Sequence, residues 1–245
     1  MDKPKACIGH KIIFLDRVDS TNNYAAKRFK SGGIDSGSVI LTDIQTNGRG
    51  QRGREWQSDA FSNLIVSITA DLNLWKINSM ISLNHLTALA IQSFLLKHTE
   101  NVKIKWPNDI MIKDKKAVGI LIESYITSSQ RKSVIGFGAN INQQNFEAPR
   151  ATSLSLATGK FYNPKELIYE LIETFNHFIE VYHDRGESWI QELYNQQLWK
   201  LKTDHLFKFN DQEQYGKINS TTSSGELVVE FPNGQKSFLN GQVAY

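Results

Sequence analysis

Apolar positions along the chain fall into strand-length runs and helical stripes that succeed one another and end in a set of short strands. Lys11-Ile12-Ile13-Phe14-Leu15 reads as a first strand, entered directly from Met1-Asp2-Lys3-Pro4-Lys5. Ser38-Val39-Ile40-Leu41-Thr42-Asp43-Ile44 and Asn63-Leu64-Ile65-Val66-Ser67-Ile68 are further apolar runs of strand length. Between the first two, Asp19-Ser20-Thr21-Asn22-Asn23 offers short polar side chains suited to a helix N-terminus. The helix Tyr24-Ala25-Ala26-Lys27-Arg28-Phe29 then stops at Gly32-Gly33. Only one of Ser20, Thr21 and Asn22 can be the cap; three hydrogen-bonding side chains at a helix start can also face a polar ligand. From about Ile77 to His98 the apolar residues Met80, Ile81, Leu83, Leu86, Leu89, Ile91, Phe94 and Leu95 wrap most of a helix, which predicts burial against a sheet.

In Val102-Lys103-Ile104-Lys105-Trp106-Pro107-Asn108-Asp109, lysines alternate with apolar residues as on a strand with one wet face. Pro107 ends that strand, Asn108 and Asp109 make a bend, and Ile110-Met111-Ile112 departs from it. Lys113-Asp114-Lys115-Lys116 reads as a hairpin turn into the strand Ala117–Glu123, interrupted by Gly119. Ser133–Asn142 repeats the pattern with Gly136 and Gly138. A glycine inside a strand marks close approach of a ligand or another backbone. Beyond residue 150, Asn163-Pro164 opens a helix with the stripe Leu167, Ile168, Leu171, Ile172, Phe175, Phe178, Ile179 and Tyr182, and a second helix covers about Ser188 to Leu198. From Asp204 the pattern becomes short strands, 205–209, 215–218, 226–231 and 236–239, with turns at Ser224-Gly225 and Asn233-Gly234; Gly241–Tyr245 closes the set.

The expected fold class is therefore α+β, a mixed-sheet domain over residues 1–200 followed by a small SH3-like β-barrel over 201–245. A chain of 245 residues can bury such a core. The net charge of +3 does not demand nucleic acid. The single Cys7 excludes an internal disulfide framework and fits a reducing cytoplasm. The six histidines, His85 and His98 among them, show no metal-ligand spacing, so no protein-held metal is expected. No apolar run reaches membrane-spanning length, and Asn219-Ser220-Thr221, a glycosylation sequon, reads as chance without a secretory leader.

Candidate chemistry centres on Gln45-Thr46-Asn47-Gly48-Arg49-Gly50-Gln51-Arg52-Gly53-Arg54-Glu55-Trp56, with three glycines and three arginines within seven positions. Glycines permit close backbone approach, and arginines offer planar forks of donors for phosphate and carboxylate. A mobile cationic lid over a small anion, a solvated hairpin connection, and a segment for single-stranded nucleic acid all fit this loop taken alone.

Taken together, the motifs narrow the choice. Lys105-Trp106-Pro107-Asn108-Asp109, Lys116-x-x-Gly119-Ile120-Leu121-Ile122-Glu123, Gly136-x-Gly138-x-Asn140, the glycine-arginine loop ending at Trp56, and Asp19-Ser20-Thr21-Asn22 stand in the order of a biotin protein ligase, which the chain resembles over roughly residues 16 to 142. The tail resembles that family's C-terminal domain more loosely. The resemblance implies that Ser20, Thr21, Asn22, Gln45, Gly48, Arg49, Lys116, Gly119, Gly136 and Gly138 hold biotin. It implies that Arg49, Gly50, Gln51, Arg52, Arg54, Trp56, Lys105, Asn108, Lys116 and Asn140 hold the nucleotide or adenylate. Lys116, Arg49 and Asp109 become the candidate catalytic residues. Gln51 stands where members of that family often carry arginine, a departure that bears on retention of the intermediate.

The implied reaction joins biotin to ATP as biotinyl-5′-AMP, with Mg2+ on the leaving phosphates, and passes biotin to a lysine of a biotin carboxyl carrier protein. Fixed cations would offset the meeting of two anions, and a closing loop would keep water from the mixed anhydride. Asp109 would orient the acceptor amine or take its proton, although a turn-forming carboxylate satisfied by nearby amides also fits that position. Lipoate–protein ligase, which shares the fold and adenylation, is the alternative enzyme; a nucleic-acid-binding module is the alternative of another class. Only nineteen residues precede Ser20, too few for the helix-turn-helix of longer family members, so no operator binding is expected. Monomer and homodimer both remain compatible with the sequence, and no membrane partner is expected.

Overall fold

Strands with apolar residues on both faces need cover on both faces, and the first sheet receives it. The computed structural model describes residues 7–127 and 130–245; the segment Met1–Lys5 lies outside them. The sheet contains β1 (Ile12–Val18), β2 (Val39–Gln45), β3 (Leu64–Asp71), β4 (Val102–Lys105), β5 (Asp109–Ile112), β6 (Lys115–Ile126) and β7 (Arg131–Ala139), in the order β1-β2-β3-β7-β6-β5-β4. Only β1 and β2 pair in parallel, joined across α1 (Thr21–Lys30). The other neighbours are antiparallel, which makes the sheet mixed.

Alternation divides the two faces. Val39, Leu41, Val66, Ile68, Ile135 and Phe137 belong to the main core with α2 (Met80–Leu96) and α4 (Pro164–Arg185), whereas Ile40 and Val134 pack with Ala25, Ala26 and Phe29 of α1. The helix expected from Ile77 begins only at Met80, because Ser79 accepts a hydrogen bond from Ser82 N and caps it. All eight expected stripe residues of α4 are buried, with Asn163 as the cap and Pro164 in the first turn. α5 (Glu187–Gln196) follows one residue later, and a short α3 (Leu154–Thr158), absent from the sequence reading, is capped by Ser153.

The second sheet is an antiparallel meander of β8 (Asp204–Phe209), β9 (Gln212–Thr221), β10 (Leu227–Phe231) and β11 (Gly234–Phe238), in the order β11-β10-β9-β8. Asn210 and Asp211 both take positive φ, as the tight turn between β8 and β9 requires. The final segment returns to β8 through a bridge between Lys208 and Ala244. This arrangement is compatible with the SH3-like domain expected. It packs on the first sheet: Trp106 Nε1 donates to Gly225 O at 3.0 Å, and Tyr245 Oη donates to Trp106 O at 3.2 Å. Among the described residues, no helix is long and apolar enough to cross a membrane.

Candidate active site

The α1 face of the sheet is where the polar and glycine positions of the central strands converge. Asp109, Gly119, Gly138 and Ile65 are partners in one row across four strands, and Leu121, Gly136 and Ser67 form the next row. Above these rows lies a cavity of about 410 Å³. Side chains rather than backbone approach its glycines. A Cβ at Gly136 would stand 2.1 Å from Asn22 Oδ1, and one at Gly138 would stand 2.2 Å from Trp56 Cε2. Trp56 also covers Gly119, and its Nε1 is buried with no protein partner among the described residues.

One end of the cavity is a chain of hydrogen bonds at the start of α1. Ser20 is the cap, accepting from Asn23 N at 3.4 Å, which leaves Thr21 and Asn22 free for other partners. Thr21 N donates to Gln45 Oε1 at 2.9 Å, and Ser67 Oγ lies 2.8 Å from Thr21 Oγ1 and 2.6 Å from Asn22 Oδ1. Asn22 Nδ2 donates to Glu123 Oε2 at 2.9 Å and to Leu121 O at 3.3 Å. The same Glu123 oxygen accepts from Arg49 Nη2 at 2.6 Å. No partner among the described residues engages the Gln45 Nε2 donors, so this end presents both donors and acceptors.

Cations gather at the other end. Strict alternation would turn Lys116 away from Gly119, but the β5–β6 register shifts between Ile110 and Met111. Ala117 and Val118 consequently both enter the core, and the bulge returns Lys116 to the cavity face. Its Nζ then lies 2.7 Å from Asp109 Oδ1. The expected turn covers only Lys113 and Asp114, and Lys116 belongs to β6. Lys105 is held within 5.3 Å of the Trp199 ring and 5.1 Å of the Tyr245 ring. Burial lowers its pKa from the usual lysine range, an effect that nearby Asp109 partly offsets. Asn108 is tied to β6, its Nδ2 donating to Ile120 O at 2.8 Å.

The glycine-arginine loop folds back on itself like a hairpin, with Gly50 N donating to Arg54 O at 2.7 Å and Trp56 N to Gly48 O at 3.0 Å. Its tip, a 3-10 turn over Gln51–Gly53 with Arg52 at φ 58°, meets the second sheet's tail. Asn240 Nδ2 donates to Gln51 Oε1 at 2.8 Å, and Arg52 Nη2 donates to Asn240 O.

Ser20, Thr21, Asn22, Gln45, Arg49, Gly50, Gln51, Arg52, Arg54, Trp56, Lys105, Asn108, Asp109, Lys116, Gly119, Gly136 and Gly138 all line this cavity. Gly48 and Asn140 do not. Gly48 packs under the Trp56 carbonyl, and Asn140 is buried with its Nδ2 on Thr152 O at 3.0 Å. Sequence reasoning missed Ser67, Glu123 and the segment Asn240–Tyr245. Glu123 carried a usable signal, since it lies two and four residues from Leu121 and Gly119 and so shares their face of β6. Nothing local marked Asn240.

Ile65, in the same row as Gly119 and Gly138, and the Trp56 ring over those glycines present apolar surface to the cavity, whereas the side chains of Val66 and Phe137, which also border it, lie in the main core. The cavity therefore suits a molecule with a polar ring, an apolar middle and an anionic end, next to a phosphate-bearing partner.

The Biotin/lipoate A/B protein ligase family model matches residues 14–140. The bifunctional ligase/repressor BirA of Escherichia coli (strain K12) is 32% identical over 245 residues, 96% of this chain and 74% of that one. The biotin--[acetyl-CoA-carboxylase] ligase of Paracoccus denitrificans is 27% identical, over 94% of this chain and 99% of that one. Among solved structures, the biotin protein ligase from Aquifex aeolicus in complex with biotin and ATP superposes with a TM-score of 0.80 at 24% identity, covering 96% of this chain and 98% of that chain, a likeness of fold.

Proposed function

The chain belongs to the Biotin/lipoate A/B protein ligase family, and on that premise we propose that it is an ATP-dependent biotin–protein ligase. The observation that carries this reading is the single cavity that joins the Thr21–Asn22–Gln45 hydrogen-bonding end to the Lys116–Asp109–Lys105 end across a floor of glycines. A cyclic urea carries N–H donors and a carbonyl acceptor, which Asn22 Oδ1 and Gln45 Nε2 complement. The apolar valeryl chain suits the middle, and its carboxylate reaches the cations.

In the first half-reaction a biotin carboxylate oxygen attacks the α-phosphorus of ATP. The bond to the β-phosphate oxygen breaks, and pyrophosphate leaves. Lys116 and Arg49 offset the repulsion between the two anions and stabilise the charge that develops. Magnesium belongs to the proposal as the counter-ion that the triphosphate would bring. In the second half-reaction a lysine amine of a biotin carboxyl carrier protein attacks the acyl carbon, AMP leaves, and Asp109 accepts the amine proton. Only about one lysine amine in a few thousand is neutral at pH 7, so a positioned acceptor has work to do. The reducing cytoplasm, where ATP and unmodified carriers meet, is the compartment that fits.

The test is to incubate the purified chain with ATP, magnesium and labelled biotin, with and without a carrier domain. Biotin-dependent pyrophosphate release and label on the carrier are expected, and lipoate should compete poorly. Release driven by lipoate in preference to biotin would move the chain to the lipoate branch of the family.

A further inference from the structure

Glu123 touches both the ring end of the cavity and the glycine-arginine loop. An ionised carboxylate only accepts hydrogen bonds. Asn22 must therefore turn its Nδ2 toward Glu123, as the 2.9 Å contact shows, while Ser67 engages Oδ1 from the other side at 2.6 Å. With its N–H groups spent on Glu123 and on Leu121 O, Asn22 offers a ligand only an acceptor. The same carboxylate oxygen holds Arg49, which leaves the remaining guanidinium donors for a ligand.

We propose that Glu123 is a positioning residue that couples ring recognition to loop placement: it fixes Asn22 as the acceptor for a ureido N–H and tethers Arg49 beside the same pocket. This inference rests on the biotin-ligase reading. An ordinary surface ion pair is the competing account. Arg49 and Glu123 side chains are 38% and 25% exposed, and such a pair adds little to stability. The two accounts therefore part over binding rather than over folding.

Glu123→Gln separates them. Its amide carbonyl can take the place of the one oxygen that both donors meet, but it carries no charge, so both contacts weaken. Its N–H2 can itself donate, which lifts the demand that Asn22 present Nδ2. The expected result is a biotin KM for pyrophosphate release raised about fivefold, the difference between a hydrogen bond to a charged group and a neutral one. The thermal midpoint should change little, because the pair is partly exposed. Biotin methylated at a ureido nitrogen gives a second readout. Wild type should reject it, and Glu123→Gln should discriminate less, because Asn22 is freed to turn. A third readout needs no biotin: trypsin should cleave the unliganded loop after Arg52 or Arg54 faster in the variant. Glu123→Asp, with the charge kept and the reach shortened, should lie between the two and serves if Glu123→Gln folds poorly. An unchanged KM with unchanged discrimination would overturn the orienting role, and an unchanged cleavage rate would overturn the tether. Absence of biotin-dependent release in wild type would instead sink the ligase reading, and the proteolysis arm would still decide the tether.

Discussion

Lys116 Nζ stands 2.7 Å from Asp109 Oδ1, across the bulged pairing of β5 and β6. Each of the two proposed catalytic groups is therefore the other's counter-ion before any ligand arrives. An anionic ligand reaching Lys116 competes with Asp109 for it, and whatever Lys116 then gives up, Asp109 is free to offer to an incoming amine. The pairing supplies a physical link between the two proposed half-reactions.

Lys116→Ala should lower biotin-dependent pyrophosphate release on the order of a hundredfold or more, as loss of a group that stabilises developing charge does. The fold should survive, because Lys116 is a partly exposed strand residue. Release at near wild-type rate would remove Lys116 from the chemistry and leave the ion pair as a structural feature only.

Asp109→Asn should slow acyl transfer from preformed adenylate more than it slows adenylate formation, and raising the pH should partly restore transfer by supplying neutral amine. Single-turnover assays of each half-reaction are the measurement. An equal loss in both steps would make Asp109 the residue that places Lys116, and nothing more.

The glycine floor gives a steric prediction. Gly136→Ala would put a methyl group 2.1 Å from Asn22 Oδ1, and Gly138→Ala would put one 2.2 Å from Trp56 Cε2. Gly136→Ala should raise the biotin KM by at least tenfold, since Asn22 must move. Gly138→Ala should act through Trp56, visible as a changed tryptophan emission. Isothermal titration with biotin checks the first; an unchanged affinity would mean that Asn22 does not face the ligand.

Away from the site, His85 stacks on Tyr194 with ring centroids 4.0 Å apart. Burial depresses its pKa from 6.5 to about 4, against a smaller raising effect of Glu187. A depressed folded-state pKa means that the unfolded chain binds the proton first. The stability that neutral His85 allows is thus complete above pH 6.5 and is lost as pH falls toward 4. The full effect of such a shift is about 3 kcal/mol. Urea unfolding of wild type and His85→Asn at neutral pH and at pH near 4 should show a shallower loss for the variant; parallel losses would assign acid sensitivity elsewhere.

Most of the fold was legible because its signals are local. Apolar runs of strand length marked β2 and β3, the Asn163-Pro164 start and the apolar stripe marked α4, and Gly234 marked the β10–β11 turn. The end of the long helix was misplaced by three residues at its start because Ser79, a cap with no acidic residue after it, gives a weak signal. The cavity was legible where motifs carried it. It was not legible where a residue acts through tertiary placement. The bulge that returns Lys116 to the cavity face leaves no mark in the local pattern, which reads equally well as a turn. Asn240 reaches the site only because the meander folds its far end back over the loop, a relationship across 189 positions that no spacing rule reports.

That contact bears on Gln51. Where a guanidinium would bring charge to the loop tip, Gln51 brings an acceptor, and Asn240 Nδ2 fills it at 2.8 Å while Arg52 donates to the Asn240 carbonyl. The loop tip is thus clasped to the second sheet's tail on both sides of one residue. If the clasp holds the loop over bound adenylate, Gln51→Ala and Asn240→Ala should each speed release of biotinyl-AMP about fivefold, the equivalent of one neutral hydrogen bond near 1 kcal/mol. The double variant should release no faster than either single one, because both remove the same contact. Gln51→Arg tests the opposite balance: a guanidinium cannot accept from Asn240, so the clasp is lost, but it adds a charge-assisted donor toward the adenylate phosphate. Net slowing of release is expected, since hydrogen bonds to charged groups contribute about 1.5–3 kcal/mol against about 1 for neutral ones. The measurement is a chase of labelled adenylate with excess unlabelled biotin and ATP, run on all four variants and wild type. Additive effects in the double variant would separate Gln51 from Asn240. Unchanged release in every variant would leave retention to Arg49 and the Trp56 cover.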